Sequence, residues 1–286
     1  MSAATSRYEA PEPLAAPSPR LERGDGAAEI VFGQGGLVHL YQRTPCRVLF
    51  PDPAPGDPPL AALLTTSGGL TGGDRIALSL KVEERARGAA TTAAAEKVYR
   101  SLGPEVEIGV RLGVDAGGWL EWLPQETILF DRARLVRRIA AELAPGARLL
   151  AAESLVFGRA ARGERFTRGL LHEAWRIRIG GRLVWADALR LDGDIGALLA
   201  APAGLGGAAA LATALYVGPD AADQLPAARA AAEAGDGAAS LVNGVLLARF
   251  LDARADRVRL ALLRYLCHLR HAAGGLPASL PRLWHV

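Results

Sequence analysis

The strongest constraint on this chain is a two-residue alternation of apolar and polar side chains. In IALSLKV, Ile76, Leu78, Leu80 and Val82 share one face of an extended segment. In VEIGVRLGV the same holds for Val106, Ile108, Val110, Leu112 and Val114. Successive side chains of a strand point to opposite faces, so this spacing describes sheets with one buried face. WRIRI repeats it with Trp175, Ile177 and Ile179, and GRLVWADALRL continues it past Gly180–Gly181, a pair suited to a tight hairpin turn. Two further strands are expected between residues 29 and 50: a short one that ends near Gly35–Gly36, and a second that carries Leu37, His39 and Tyr41, then Val48 and Phe50. The proline-rich PDPAPGDPP that follows is a loop. LVRRIAAELAPGARLLAAESLVFGR reads as strand, Pro145–Gly146 turn, strand. Long crossover helices of the kind βαβ units require are missing between these segments, so the expected fold class is mainly β.

The last third changes character. Residues 201–218 are alanine-rich and read as a helix, or as a helix running into a strand; PAARAAAEAG is helical and VNGVLLARFLDA is a strand. The clearest helix spans 253–272, where Val258, Ala261, Leu262, Tyr265, Leu266 and Leu269 form an apolar stripe opposite Arg257, Arg264, His268 and His271. Gly274–Gly275 and Pro277 end it. Residues 1–24, rich in Pro, Ala and Ser, are predicted to be a flexible tail, and 25–286 a single domain.

Composition narrows the function classes. The net charge is only +3, and arginines such as Arg137–Arg138 and Arg162–Arg168 read as dispersed charges on strands and turns. A nucleic-acid binder needs denser basic clustering with aromatic platforms, so no nucleic-acid partner is expected. The alanine-rich runs are too short and too interrupted to span a bilayer, and no membrane association is expected. Two cysteines far apart, Cys46 and Cys267, with no CxxC, point to a reducing, cytoplasmic setting.

TTSGGLTGGD, residues 65–74, tests the nucleotide and nucleophile readings, and both fail. A phosphate-gripping loop needs GxxxxGK[ST], whereas here Asp74 stands where positive charge is wanted. GxGxxG and GxSxG are absent too. The segment reads as a glycine-dependent turn in which Asp74 accepts backbone N–H bonds. In TTAAAEKVYRS, Lys97 and Tyr99 make no acid–base pair without a pocket. Cys267, His268 and His271 offer too few ligands for a closed zinc site, and Arg264 opposes a cation there. Asp74, Glu96, Glu121, Glu126, Asp131, Glu153 and Glu164 could line a polar interior that passes a divalent ion without holding it tightly. Glu153 is the most informative, because it sits beside Leu155 and Phe157 and a buried carboxylate needs a donor, a metal or water.

Several blocks in order, TTSGGLTGGD, TTAAAEKVYRS, WLPQETILFDRA, ESLVFGRAARGE and the terminal LPRLW, resemble the urease accessory protein family UreD, also called UreH. The resemblance covers roughly residues 27–286 and leaves out the Ala/Pro-rich start. It implies layered, β-helical sheets with a few helices, including one at the C-terminus, in a cytoplasmic, non-enzymatic maturation factor. It also implies binding to UreF, to the nickel-binding GTPase UreG through UreF, and to apo-urease. No tightly bound cofactor is implied, but a water-filled passage for transient nickel is, with Glu153 and then Asp74 as the candidate metal-contacting residues. Two other classes compete: an interaction domain without ion transfer, and a small-molecule enzyme on a β-rich fold, which would need a concave pocket with a paired acid and base.

Overall fold

The computed structural model describes residues 22–285, so the predicted tail lies outside the described residues up to residue 21. The chain opens with a hairpin, β1 (Asp25–Gly33) and β2 (Gly36–Arg43); β3 (Cys46–Leu49) and β4 (Leu60–Thr65) flank the proline-rich loop. Three coils follow. The first is β5 (Arg75–Val82), β6 (Arg87–Thr92) and β7 (Glu96–Val98); the second is β8 (Val106–Val114), β9 (Trp119–Trp122) and β10 (Thr127–Leu129). The third is β11 (Arg134–Leu143) and the long β12 (Arg148–Arg159), followed by the short β13 (Glu164–Arg165). β14 (Arg168–Ile179) and β15 (Arg182–Asp194) form a hairpin, closed by Gly180–Gly181 with φ of 56° and 79°. Helix α1 (Ile195–Ala200), strand β16 (Ala210–Val217), helix α2 (Ala221–Glu233), the hairpin β17 (Ala238–Val242) and β18 (Val245–Asp252), and helix α3 (Ala255–Gly274) complete the chain.

Each coil contributes one strand to each of two facing sheets. The first sheet runs β15-β14-β11-β8-β5-β1-β2, and its members β1, β5, β8, β11 and β14 are stacked in parallel. The second runs β17-β18-β16-β12-β9-β6-β4-β3, with β4, β6, β9 and β12 parallel. A third, short wall is made by β7, β10 and the end of β12. This is the β-helical layering that the resemblance implies. The alternation has a direct cause in it. The first sheet turns one face to the core and the other to water, so all five inward residues of β8 are buried while Glu107 and Arg111 are exposed.

The second sheet is covered on both faces. Its inner face meets the first sheet across a core including Leu120, Trp122, Leu149, Ala151 and Leu215. Its outer face carries α2 and α3, packed on Leu150, Ala212, Ala214, Tyr216 and Leu246. Its strands therefore read as unbroken apolar runs, such as β16, ALATALYV, in which all eight residues are buried. Neither reading of 201–218 holds in full: residues 202–207 are turns and not helix, and the second half, Ala210–Val217, is a strand. Alanine favours helix in isolation, but here its small side chains let α2 and α3 approach the sheet, and packing overrides propensity.

Candidate functional site

Between the two sheets lies a cavity of about 220 Å³, bordered by Cys46, Thr65, Glu96, Trp122, Thr127, Arg137 and Glu153 among other residues. The strand period explains how charges come to be there. On β12, Glu153 is in phase with the core residues Leu149, Ala151, Leu155 and Phe157 and is only 2% exposed. On β11, Arg137 is in phase with Leu135, Ile139 and Ala141; on β14, Glu173 is in phase with Leu171, Trp175 and Ile177. The parallel register then sets Arg137 directly beside Glu173.

Arg137 is the hub of the cluster. Its Nε donates to Glu173 Oε2 at 2.8 Å, its Nη2 donates to the same oxygen, and its Nη1 donates to Thr127 Oγ1 at 2.8 Å. Nη1 also lies 2.8 Å from Glu153 Oε2, a charge contact without hydrogen-bond alignment, so this buried oxygen has no hydrogen-bond partner. Glu153 Oε1 accepts a hydrogen bond from Trp122 Nε1 at 2.8 Å. Burial pushes the Glu153 carboxyl up to about 7; the guanidinium of Arg137 opposes the rise and the charge of Glu173 adds to it. Glu96, half-buried, is also raised by desolvation, against the hydrogen bond it accepts from Thr65 Oγ1 at 3.1 Å. The cavity thus holds two carboxyls that bind protons more readily than carboxylates in water, with a fixed cation between them and Glu173.

The remaining sequence candidates are dispersed. Asp74 lies away from the cavity: its Oδ1 accepts from the Gly24 amide at 2.7 Å and its Oδ2 from the Thr71 amide at 2.8 Å. The turn that Asp74 holds brings Gly68 and Gly69 into the cavity wall. Gly69 has φ of 145°, and a Cβ there would sit 2.6 Å from the Tyr99 ring, so only glycine fits. Glu121 is buried on the outer face of the second sheet, where its Oε1 accepts from Arg270 Nε at 2.7 Å. Arg270 also donates to Asp57 Oδ1 at 3.0 Å and to the Ser279 carbonyl, tying α3 to the proline-rich loop and the C-terminal segment. Glu126 pairs with Arg259 at 2.6 Å. Asp131 accepts from Thr167 and the Arg168 amide, and Glu164 from the Asp131 amide and Arg159. Among the described residues, no three His, Cys, Asp or Glu side chains converge on a metal-sized site.

Arg137 corrects the sequence reading, since it is a core residue and not a dispersed surface charge. Arg137, Glu173 and Arg270 were all missed, and each had a signal. The first two occupy inward positions of alternating strands, and Arg270 sits one turn beyond Leu266 on the apolar stripe of α3.

The comparisons with known proteins agree with this architecture. The family model of the UreD urease accessory protein matches residues 25–285. The chain belongs to the UreD family. A urease accessory protein UreD from Magnetococcus marinus is 44% identical over 261 residues, covering 89% of this chain and 90% of its own. One from Rhodopseudomonas palustris is 47% identical, covering 86% of each chain. One from a Methylobacterium species is 44% identical over 94% of this chain and 97% of its own. The UreD match begins at the first residue of β1 and runs through all the coils and α3, so the cavity and its charged cluster lie wholly inside the shared region. No helix among the described residues is long and apolar enough to cross a membrane.

Proposed function

We propose that this chain is a urease maturation factor: a cytoplasmic scaffold joining apo-urease to UreF and, through UreF, to the GTPase UreG, with the cavity between its sheets serving as a passage for nickel. The observation that carries the reading is the pair of desolvated carboxyls, Glu153 and Glu96, that border one cavity, where Glu153 Oε2 faces the charge of Arg137 but accepts no hydrogen bond. A dication entering such a space meets groups that give up protons in exchange, so the charge inside changes little. Two oxygen donors without a closed ligand set suit transit rather than storage. Arg137 holds Glu153 and Glu173 in place and caps the negative charge that the wall presents. In this proposal GTP hydrolysis belongs to UreG and the chain itself is not an enzyme, in keeping with a sequence that lacks GxxxxGK[ST].

The test is co-expression with a urease operon, with and without this chain, followed by urease activity and nickel content. The expected result is nickel-poor, inactive urease without the chain, and normal loading in its absence refutes the scaffold role. Glu153→Ala is expected to keep partner binding and to lower nickel loading; unchanged loading assigns Glu153 to structure alone and favours an interaction domain without ion transfer. Asp74 is kept in the proposal as a residue of the turn behind the cavity wall. Normal nickel loading in a folded Asp74→Asn chain removes it from the nickel route.

A further inference from the structure

We propose that the corner joining the short third wall to the first sheet is a docking surface for an acidic face of a partner protein, with Leu102 as its apolar anchor. The proposal rests on the scaffold reading and adds to it the place and chemistry of one contact. The chain turns this corner three times in succession, through residues 99–105, 130–133 and 160–167. Neighbouring turns are hydrogen-bonded: the Ser101 amide donates to the Arg132 carbonyl at 3.0 Å, and the Arg132 amide to the Arg168 carbonyl at 2.9 Å. Arg100, Arg132 and Arg168 therefore lie on adjacent turns, about 4.8 Å apart as neighbouring strands are. The end of β12 and the last turn add Arg159, Arg162 and Arg165, and all six arginines are exposed. In sequence Arg162–Arg168 read as dispersed charges; coiling the chain collects them with Arg100 and Arg132.

Two carboxylates share the corner with them, Asp131 and Glu164, and both secure the turns. Asp131 Oδ1 accepts from the Thr167 and Arg168 amides, and Glu164 Oε1 from the Asp131 amide. Six arginines against two carboxylates is a larger excess than the +3 of the whole chain. Arg132 lies 3.9 Å from Asp131 and Arg159 pairs with Glu164, but Arg100, Arg162, Arg165 and Arg168 have no ion-pair partner among the described residues. Gathered like charges repel, and nothing within the chain offsets the repulsion. Arg132 also holds φ at 63°, a left-handed backbone that glycine or asparagine adopts more easily. Costs of this kind collect where a surface meets a ligand.

The neighbours of the arginines select the occupant. A guanidinium fork fits carboxylates and phosphates alike, so charge by itself leaves protein and nucleic acid open. Single-stranded nucleic acid needs aromatic faces free to stack its bases. Here Phe130 has the guanidinium of Arg159 over its ring at 4.0 Å and Tyr99 edge-on at 4.9 Å between centroids. Tyr99 is itself tethered, its hydroxyl donating to the Gly68 carbonyl at 2.8 Å. Leu102, two residues beyond Arg100, is 77% exposed, more than any other large hydrophobic residue among those described. A phosphate backbone gives that side chain nothing to pack against, and one leucine is too small an apolar face for a bilayer. A protein interface combines an apolar centre with arginines, and Asp and Glu side chains on the partner complete it.

The test is biolayer interferometry of the full-length chain against purified apo-urease and, separately, against purified UreF, in low and in high salt. At least one of them is expected to bind, with an on-rate that falls about tenfold or more as salt rises. The triple variant Arg100→Glu, Arg162→Glu, Arg168→Glu is expected to weaken that binding at least about 100-fold in low salt, with far-UV circular dichroism unchanged. Leu102→Ser should weaken it about tenfold through the off-rate in either salt. A control triple, Arg111→Glu, Arg138→Glu, Arg176→Glu, alters net charge equally at exposed positions on the outer face of the first sheet. It is expected to bind within about threefold of the wild type. A corner variant that binds both proteins as the wild type does, or a control that loses as much, overturns the docking surface and leaves the scaffold reading standing. A wild type that binds neither protein refutes the scaffold reading and this proposal with it. Wild-type binding of a single-stranded oligonucleotide that the corner variant loses, while both proteins still bind that variant, overturns the proposal in favour of nucleic acid.

Discussion

Replacing Arg137 with methionine should produce a loss of stability that depends on pH. The guanidinium contacts Glu173 through two nitrogens and lies 2.8 Å from Glu153 Oε2, with all three side chains less than a tenth exposed. Methionine keeps much of the volume and removes the charge, leaving two buried carboxylates uncompensated. Breaking a buried pair by removing one partner costs about 3–5 kcal/mol. Glu153, whose carboxyl burial already pushes up to about 7, can escape this by taking up a proton. A group raised in this way contributes stability that is present below its unfolded pKa and lost as pH rises through the folded one. At pH 8 the full loss of about 3–5 kcal/mol is therefore expected, because protonation is costly there. At pH 5.5 Glu153 is largely neutral, so its share of the repulsion is gone and the loss should be clearly smaller than at pH 8. Urea unfolding followed by tryptophan fluorescence at the two pH values measures the difference, with Trp122 adjacent to the lesion. An equal loss at both pH values, or a loss below about 1 kcal/mol at pH 8, refutes the electrostatic account of the cluster.

Three further outcomes are expected. Glu153, raised to about 7 by burial, binds its proton more tightly when folded than when unfolded, so it costs stability as pH rises from near 4.5 to 7; the ceiling is ~3 kcal/mol, and Glu153→Gln should flatten this part of the stability–pH curve. Arg270→Met strands Glu121 and Asp57 beneath α3 and should cost about 3–5 kcal/mol, with amide exchange in α3 rising before exchange in the sheets. Gly69→Val forces a β-branched residue to φ of 145° and drives a Cβ against the Tyr99 ring; a loss of roughly 2–5 kcal/mol in thermal unfolding is expected, whereas exposed Gly181→Asn should be nearly neutral.

Much of the fold could be read from the chain because the first sheet has one wet face. Val106 to Val114 and Ile76 to Val82 show the alternation, and Gly180–Gly181 shows its own turn. The second sheet is less legible for the opposite reason: with helices outside and a sheet inside, β16 has no polar phase, and its alanines imitate a helix. Stacking into coils leaves no local mark, since β5, β8 and β11 meet partners roughly a coil away in sequence, and it entered only through the family resemblance. The cluster was half visible. Glu153 stood out between Leu155 and Phe157, while Arg137 was hidden by its neighbour Arg138, because a pair of arginines reads as surface unless each is assigned to a face. Arg138 is exposed and Arg137 is buried, as opposite phases of one strand require.

The adjacency of Arg137 and Glu173 in the ladder between β11 and β14 also acts as an indexing pin. Parallel strands with similar apolar faces can slide past one another by two residues and still bury aliphatic side chains. Such a slide here would oppose Arg137 to Leu171 or Trp175 and leave a bare guanidinium in the core. A slip of one residue would expel one charge and strand the other. The ion pair thus penalises every register but one, while the turns between strands bear no such restriction. Length variation among related chains should accordingly gather in the connections, with the count of residues from Leu135 to Leu143 and from Leu171 to Ile179 held constant.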